Sequence, residues 1–237
     1  MRILLLGYGK MGKAIEKLAV RAHHTISGKI EEDNKADLAR FSAKNTDVAI
    51  EFSQPDAAFN NIRYCLENSI PVVSGTTGWL EKKPVLDEIC LKNKGAFFYA
   101  SNFSIGVNLF FDLNEKLARL MRPFNYYVTM EEIHHTEKKD EPSGTAITLA
   151  EGIVRENKNF TGWHLGNGEE DKISINAKRE GQVPGTHSVK YNSTIDDIEI
   201  KHTAHSREGF AKGALSVAKW MVNKKGVLSM KDFLKTE

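Results

Sequence analysis

Apolar positions follow two rhythms along this chain. In the first hundred residues, short apolar blocks alternate with stretches of helical period. Residues 2–6 are nearly all apolar and end at Gly7, the pattern of a strand buried on both faces. Residues 10–22 place Met11, Ile15, Leu18 and Ala22 on one helical stripe. Apolar blocks recur at 25–30, 47–53, 70–74 and 96–100, and Pro55 with Asp56 opens a helix after the third strand. Strands alternating with helices predict right-handed crossovers and a parallel sheet covered on both faces. Each block ends in small or polar residues, and in an open parallel sheet those ends form the ligand crevice.

Beyond residue 105 the rhythm changes. Residues 107–121 have helical period, with Leu109, Leu113 and Leu117 on one stripe. Period-two alternation returns at 126–133, 173–179, 186–191 and 196–203, interrupted by a helix over 145–156. A last amphipathic helix over 210–222 carries Leu215, Val217 and Trp220 and is expected to return to the first sheet. The pattern therefore predicts an α/β fold with a Rossmann-like parallel-sheet domain over 1–103, a second α+β domain over 104–205, and a C-terminal segment, 206–237, rejoining the first. There is no internal repeat.

Composition narrows the partners. In 237 residues, 33 basic and 31 acidic side chains leave a net charge of +2, which gives no general pull toward nucleic acid or membrane. No stretch reaches the length of a membrane span, and the N-terminus lacks a signal-peptide pattern. Cys65 and Cys90 sit in apolar helical surroundings without metal-type spacing, so they read as reduced core thiols of a cytoplasmic protein.

Two stretches carry chemistry. The first is Gly7-Tyr8-Gly9-Lys10-Met11-Gly12, set between a strand and a helix. In that context the glycines permit a tight turn, close approach of backbone to a pyrophosphate, and helix–strand packing, with the helix N-terminus facing the anion. An acidic ribose ligand belongs at the end of the second strand, where Glu31 is followed by Glu32 and Asp33. No arginine follows to grip a 2′-phosphate, although Lys29 and Lys35 offer charge. This leans toward NADH and leaves NADPH open. Phe52 and Ser53, and Gly75 with Thr76 and Thr77, end the next strands and can line the nicotinamide ribose and ring.

The second stretch is Glu132-Ile-His-His-Thr-Glu-Lys-Lys-Asp-Glu-Pro-Ser-Gly-Thr-Ala146. His134 and His135 follow a strand, so their side chains diverge. An imidazole titrates near neutrality, and Lys138 supplies a cation for a carboxylate or a donor to nitrogen. Ser143, Gly144 and Thr145 start a helix, where backbone amides suit a carboxylate. Zinc has no support here from a Glu-x-x-His spacing or a cysteine ligand, so no metal is expected.

This run resembles the signature of the 4-hydroxy-tetrahydrodipicolinate reductase family, also called dihydrodipicolinate reductase. Further matches follow in family order: Gly7 to Gly12, Ala49-Ile-Glu-Phe-Ser53, Ser74 to Gly78, Ala100 to Ser104, Arg179-Glu-Gly181 and Gly185-Thr-His187. The resemblance implies NADH- or NADPH-dependent reduction of a small cyclic dicarboxylate in lysine and diaminopimelate biosynthesis. It implies His134 and Lys138 as the catalytic pair, without deciding which delivers the proton, and substrate binding by His135, Gly144 and Thr145 beside Ser143. It adds Ala100, Ser101, Asn102 and Phe103 to the cofactor residues, and implies a homotetramer joined through sheets of the second domain. Glu32 stands where many members have arginine, Glu51 where aspartate is usual, and Ser53 where threonine is usual. Another imino- or keto-acid reductase, or a non-catalytic dinucleotide sensor, are the alternatives from the residues alone.

Overall fold

The computed structural model describes residues 1–166, 168, 171–206 and 208–235. Arg207, and Thr236 and Glu237 in the expected C-terminal segment, lie outside the described residues. The chain divides into two compact units: Met1–Ile105 with Glu208–Glu237, and Gly106–Arg207.

The first stretch runs β1 (Arg2–Leu6), α1 (Lys10–Arg21), β2 (Thr25–Ile30), β3 (Val48–Glu51), α2 (Pro55–Glu67), β4 (Val72–Ser74), α3 (Lys83–Lys92) and β5 (Ala96–Tyr99). The second unit follows with α4 (Ile105–Met121), β6 (Tyr127–His134), α5 (Gly144–Glu156), β7 (Gly162–Leu165), β8 (Lys172–Arg179), β9 (Thr186–Asn192) and β10 (Asp197–Thr203). The chain then returns as α6 (Glu208–Met221), β11 (Gly226–Leu228) and α7 (Met230–Leu234).

The first unit is a six-stranded sheet in the order β11-β5-β4-β3-β1-β2, with every pairing parallel. The central strands β1, β3, β4 and β5 are apolar at most positions because both faces are covered. One face packs Ile3, Leu5, Ile50 and Phe98 against Ile15 and Ala19 of α1 and Ala214 and Val217 of α6. The other packs Leu4, Leu6, Ala49 and Phe97 against Ile62 and Leu66 of α2 and Leu86 of α3. The strand order reverses between β1 and β3, the switch point at which such sheets open a crevice. Cys65 and Cys90 are buried free thiols, one on each helix of that second layer.

The second unit is a mixed five-stranded sheet in the order β10-β9-β6-β8-β7, with β6 pairing antiparallel to β9 and parallel to β8. In β6 the buried positions are Val128, Met130, Glu132 and His134, all on one face. That face is capped by α4 and α5 through Phe110, Ala118, Leu149 and Ile153. The α4 stripe expected from the leucines is not the buried one: Leu109 and Leu113 are about half exposed, while Val107, Phe110, Asn114, Ala118 and Met121 face inward. The inward stripe mixes small, aromatic and polar side chains, and Asn114 belongs to it because its amide donates to the Leu149 carbonyl at 2.9 Å. The short strands β7 and β11 were not expected from the pattern.

Candidate active site

The first unit presents a cleft of about 900 Å³ at the switch point. Gly7, Tyr8, Gly9, Glu31, Phe52 and Ser53 line it, together with Gln54, Asn60, Asn61 and Tyr64 from α2 and its approach. Gly7 has φ of +91°, and a Cβ there would sit 2.1 Å from the Phe52 carbonyl oxygen. Gly9 faces open space, as close approach of a phosphate requires. Lys10, Met11 and Gly12 form the first turn of α1 beneath that opening.

The residues expected at the ribose are held by ion pairs and hydrogen bonds within the chain. The Glu31 amide donates to Asn34 Oδ1 at 2.7 Å, which fixes the turn after β2. Lys35 is paired with Glu32 at 2.8 Å. Lys29 is paired with Glu16 at 2.7 Å and lies 4.4 Å from the centre of the Tyr8 ring, while the Tyr8 hydroxyl donates to Glu16. Both lysines that stood near the ribose in sequence are therefore already occupied by carboxylates.

Further along the strand ends lies a buried carboxylate. Glu51 Oε1 accepts from the Ser53 amide at 3.0 Å, the Ser53 hydroxyl, and the Thr76 hydroxyl at 2.9 Å; its Oε2 accepts from Ser74 at 2.6 Å. Four donors satisfy one charge, as burial demands. The network joins the ends of β3 and β4, and so brings Ser53 beside Gly75 and Thr76. Thr77 is exposed. Phe103 is buried, its ring tilted by 59° against that of Phe52 at 5.5 Å, which ties the turn Ala100-Ser101-Asn102-Phe103 to the same row of strand ends. Of that turn, Phe103 and Ala100 belong to the apolar core, and the Asn102 side chain accepts from the Ser104 amide at 2.9 Å.

The second unit gathers its polar groups at the end of β6. Glu132 is fully buried, and both its oxygens accept from the Ser143 amide at 3.1 Å. Arg179, from β8, donates to Oε1 at 3.3 Å. Oε2 faces two imidazoles, 3.4 Å from His134 Nδ1 and 3.7 Å from His187 Nε2. Burial opposes the charge on Glu132, but hydrogen bonding with His187 and Ser143 outweighs it and holds the carboxyl well below its usual range. We place most of that stabilisation on the Ser143 amide and the guanidinium, because the His187 contact is long. His134 is 7% exposed, its ring 5.0 Å from that of His187. Burial and the field of His187 push its pKa down to about 4, against the pull of Glu132 and with help from Lys138 and Arg179. The imidazole is thus neutral at neutral pH, whereas the sequence alone suggested a group titrating there.

Lys138 holds both oxygens of Asp140 at 2.6 Å, and that contact pulls the Asp140 carboxyl down. His135 lies at the start of the turn, and its carbonyl accepts from the Lys138 amide at 3.1 Å. Ser143 follows a cis Glu141–Pro142 bond and caps α5. Its side chain accepts from the Ala146 amide at 3.2 Å and lies 3.1 Å from His187 Nε2. Its amide donates to Glu132 as well, so Ser143 links the helix start to the buried carboxylate. The outward groups of the turn are the amides of Gly144 and Thr145, which the first helical turn leaves without intrahelical acceptors.

Glu132, His134 and His187 each offer a ligand atom, all within 4.8 Å of one another, a spacing that suits a metal ion. The Arg179 guanidinium on the same carboxylate and the nearby Lys138 oppose a divalent cation there. Glu132, His187 and Arg179 were not assigned roles from sequence; the alternation Glu132/His134 on β6 and His187/Val189 on β9, both on the helix-covered face, was the available signal.

A dinucleotide crevice in one unit and a buried acid–base cluster beside helix amides in the other define a pyridine-nucleotide-dependent reductase. The N-terminal model of dihydrodipicolinate reductase matches residues 1–103, and the C-terminal model matches 106–234. A 4-hydroxy-tetrahydrodipicolinate reductase of Christiangramia forsetii is 53% identical over 99% of this chain and 98% of its own length. One from Thermosipho africanus is 36% identical over 99% and 98%. The dipicolinate-bound dihydrodipicolinate reductase of Paenisporosarcina sp. TG-14 shares the fold, with a TM-score of 0.81 at 20% identity over 99% of both chains. The chain belongs to the dihydrodipicolinate reductase family.

Proposed function

We propose that this enzyme transfers hydride from NADH or NADPH to 4-hydroxy-tetrahydrodipicolinate, giving tetrahydrodipicolinate with loss of water, in diaminopimelate and lysine biosynthesis. The observation that carries the reading is the buried His134–Glu132–His187 cluster beside the outward amides of Gly144 and Thr145. The helix amides and Lys138 bind the carboxylates of a cyclic imine and orient its ring. The dinucleotide supplies the hydride when bound. Hydride arrival pushes electrons toward the ring nitrogen, and a proton must meet them. The chain's own surroundings hold His134 neutral; a dianionic substrate raises its proton affinity, so that substrate and proton enter together. Lys138, released in part from Asp140, is the second donor.

The cofactor reading follows the paired lysines. With Lys35 on Glu32 and Lys29 on Glu16, a 2′-phosphate meets two carboxylates, Glu31 and Glu32, and no unengaged fork. NADH is used at least as well as NADPH. A cytoplasmic homotetramer completes the proposal, joined through the face of the second sheet that the unit's own helices leave uncovered; sedimentation at enzyme concentrations tests its size. The reaction is tested by supplying the coupled upstream aldol condensation product and following NADH oxidation. Absence of substrate-dependent oxidation with either nucleotide would remove the assignment.

A further inference from the structure

We propose that Glu132 is a positioning residue of the reductive step, one carboxylate that sets both the imidazole of His134 and the Ser143–Thr145 turn. The inference rests on the assignment of His134 as the proton-handling group. Glu132 is fully buried near the end of β6. Its two oxygens divide their duties. Oε1 is held by Arg179, and both accept from the Ser143 amide, the residue that caps α5. Oε2 is turned to the imidazoles. Nδ1 of His134 is buried and makes no hydrogen bond, although the carboxylate is 3.4 Å away.

A buried imidazole nitrogen beside an unprotonated carboxylate becomes a good donor once the ring is charged. Protonation of His134 therefore closes the Nδ1–Oε2 contact, fixes the ring, and leaves Nε2 as the nitrogen that gives up its proton to substrate. Nε2 lies toward Gly185, where a Cβ would approach it to 3.1 Å, so a side chain at that position would crowd it. The groups facing His134 are Glu132 on its own strand, His187 on β9, Arg179 on β8 and Lys138 in the following turn. Only Glu132 favours the imidazolium among them. Because the same carboxylate anchors the Ser143 amide, movement of the carboxylate-binding turn is transmitted to the proton site through this one side chain.

The test compares wild type, Glu132→Gln and Glu132→Asp by the pH dependence of kcat, which reports groups in the bound complex. Glu132→Gln removes the charge that favours imidazolium. The pH above which His134 loses its proton should fall by about one to three units, with about tenfold loss of the protonated fraction per unit. The KM for NADH should not change. Glu132→Asp keeps the charge but withdraws it by one methylene; it should raise the KM for the dicarboxylate and leave the pH limb nearer to wild type. Should Gln prove unable to fold, the Asp variant with a nitrogen-15 titration of the histidine rings carries the test. A wild-type pH limb and kcat within about twofold in the folded Gln variant, or wild-type behaviour of Asp in both KM and pH, overturns the proposal. Near-normal turnover of His134→Ala would instead remove the reading on which it rests.

Discussion

The substitution Glu32→Arg should turn the cofactor preference from NADH toward NADPH. In the structure, Glu32 is largely exposed and its carboxylate holds Lys35. The substitution therefore acts twice: it replaces a negative group with a cation and releases Lys35. A ribose 2′-phosphate carries about −1.5 to −2 charges near pH 7. One unit charge about 5 Å from another contributes about 0.8 kcal/mol in bulk-water dielectric and about 3 kcal/mol at an effective dielectric of 20. Exposure and salt favour the lower figure, and breaking the surface pair costs at most about 1 kcal/mol. Reversing one charge and freeing a second is then worth about 1.5–3 kcal/mol, or roughly a tenfold to hundredfold change in the NADPH:NADH ratio of kcat/KM. Initial rates with both cofactors at fixed, low ionic strength measure it, and the change should shrink as salt is added. An unchanged ratio, or a wild-type enzyme that already prefers NADPH tenfold, refutes the argument that Glu31 and Glu32 face the ribose.

Three further outcomes follow from the geometry. His134→Ala and Lys138→Ala should each lower kcat by about a hundredfold to ten-thousandfold while NADH affinity, read by fluorescence titration, stays within a factor of about two; a matched loss in NADH binding would contradict the separation of roles. Because the folded-state pKa of His134 is depressed to about 4 from an unfolded value near 6.5, its neutral form adds stability above pH 6.5 that is lost as pH falls toward 4. The thermal midpoint should therefore fall across that window, and His134→Gln should flatten the fall; equal slopes would mean another group is responsible. Gly7→Ala places a methyl 2.1 Å from the Phe52 carbonyl at positive φ, so it should abolish dinucleotide binding and lower stability by more than about 1 kcal/mol, with chemical denaturation as the check.

The parts of this molecule visible in the sequence are those where one residue type answers one local demand. The glycine turn after β1 and the small residues ending β3, β4 and β5 were readable because crossover geometry puts strand ends together. The helix stripe of α4 was not, since Leu109 and Leu113 are about half exposed and its buried face includes Asn114, satisfied by a carbonyl in another helix. Strand β11 has three residues and gains its place only by pairing with β5. At the site, His134 stood out, but its depressed pKa depends on burial and on His187, more than fifty residues later in the chain. Ser143 stood out as a binding residue, and its bonds to Glu132 and to the Ala146 amide depend on neighbours the local pattern does not show. Glu132 carried the opposite bias: a glutamate in an alternating strand suggests a solvent-facing position, and nothing local marks the arginine and amide that make its burial tolerable.

The dinucleotide-binding unit is assembled from both ends of the polypeptide, with α6 filling one face of its sheet and β11 extending its edge. During synthesis, the first five strands leave the ribosome with a bare apolar face where Ala211, Ala214 and Val217 will pack. The inserted unit, contiguous in sequence, emerges whole before that face is covered. The interrupted half is therefore the last to become native, and the nascent chain carries an aggregation-prone surface for the time needed to translate about a hundred residues, roughly five to twenty seconds. Deleting the segment from α6 onward should cost far more soluble protein than its small share of the length suggests.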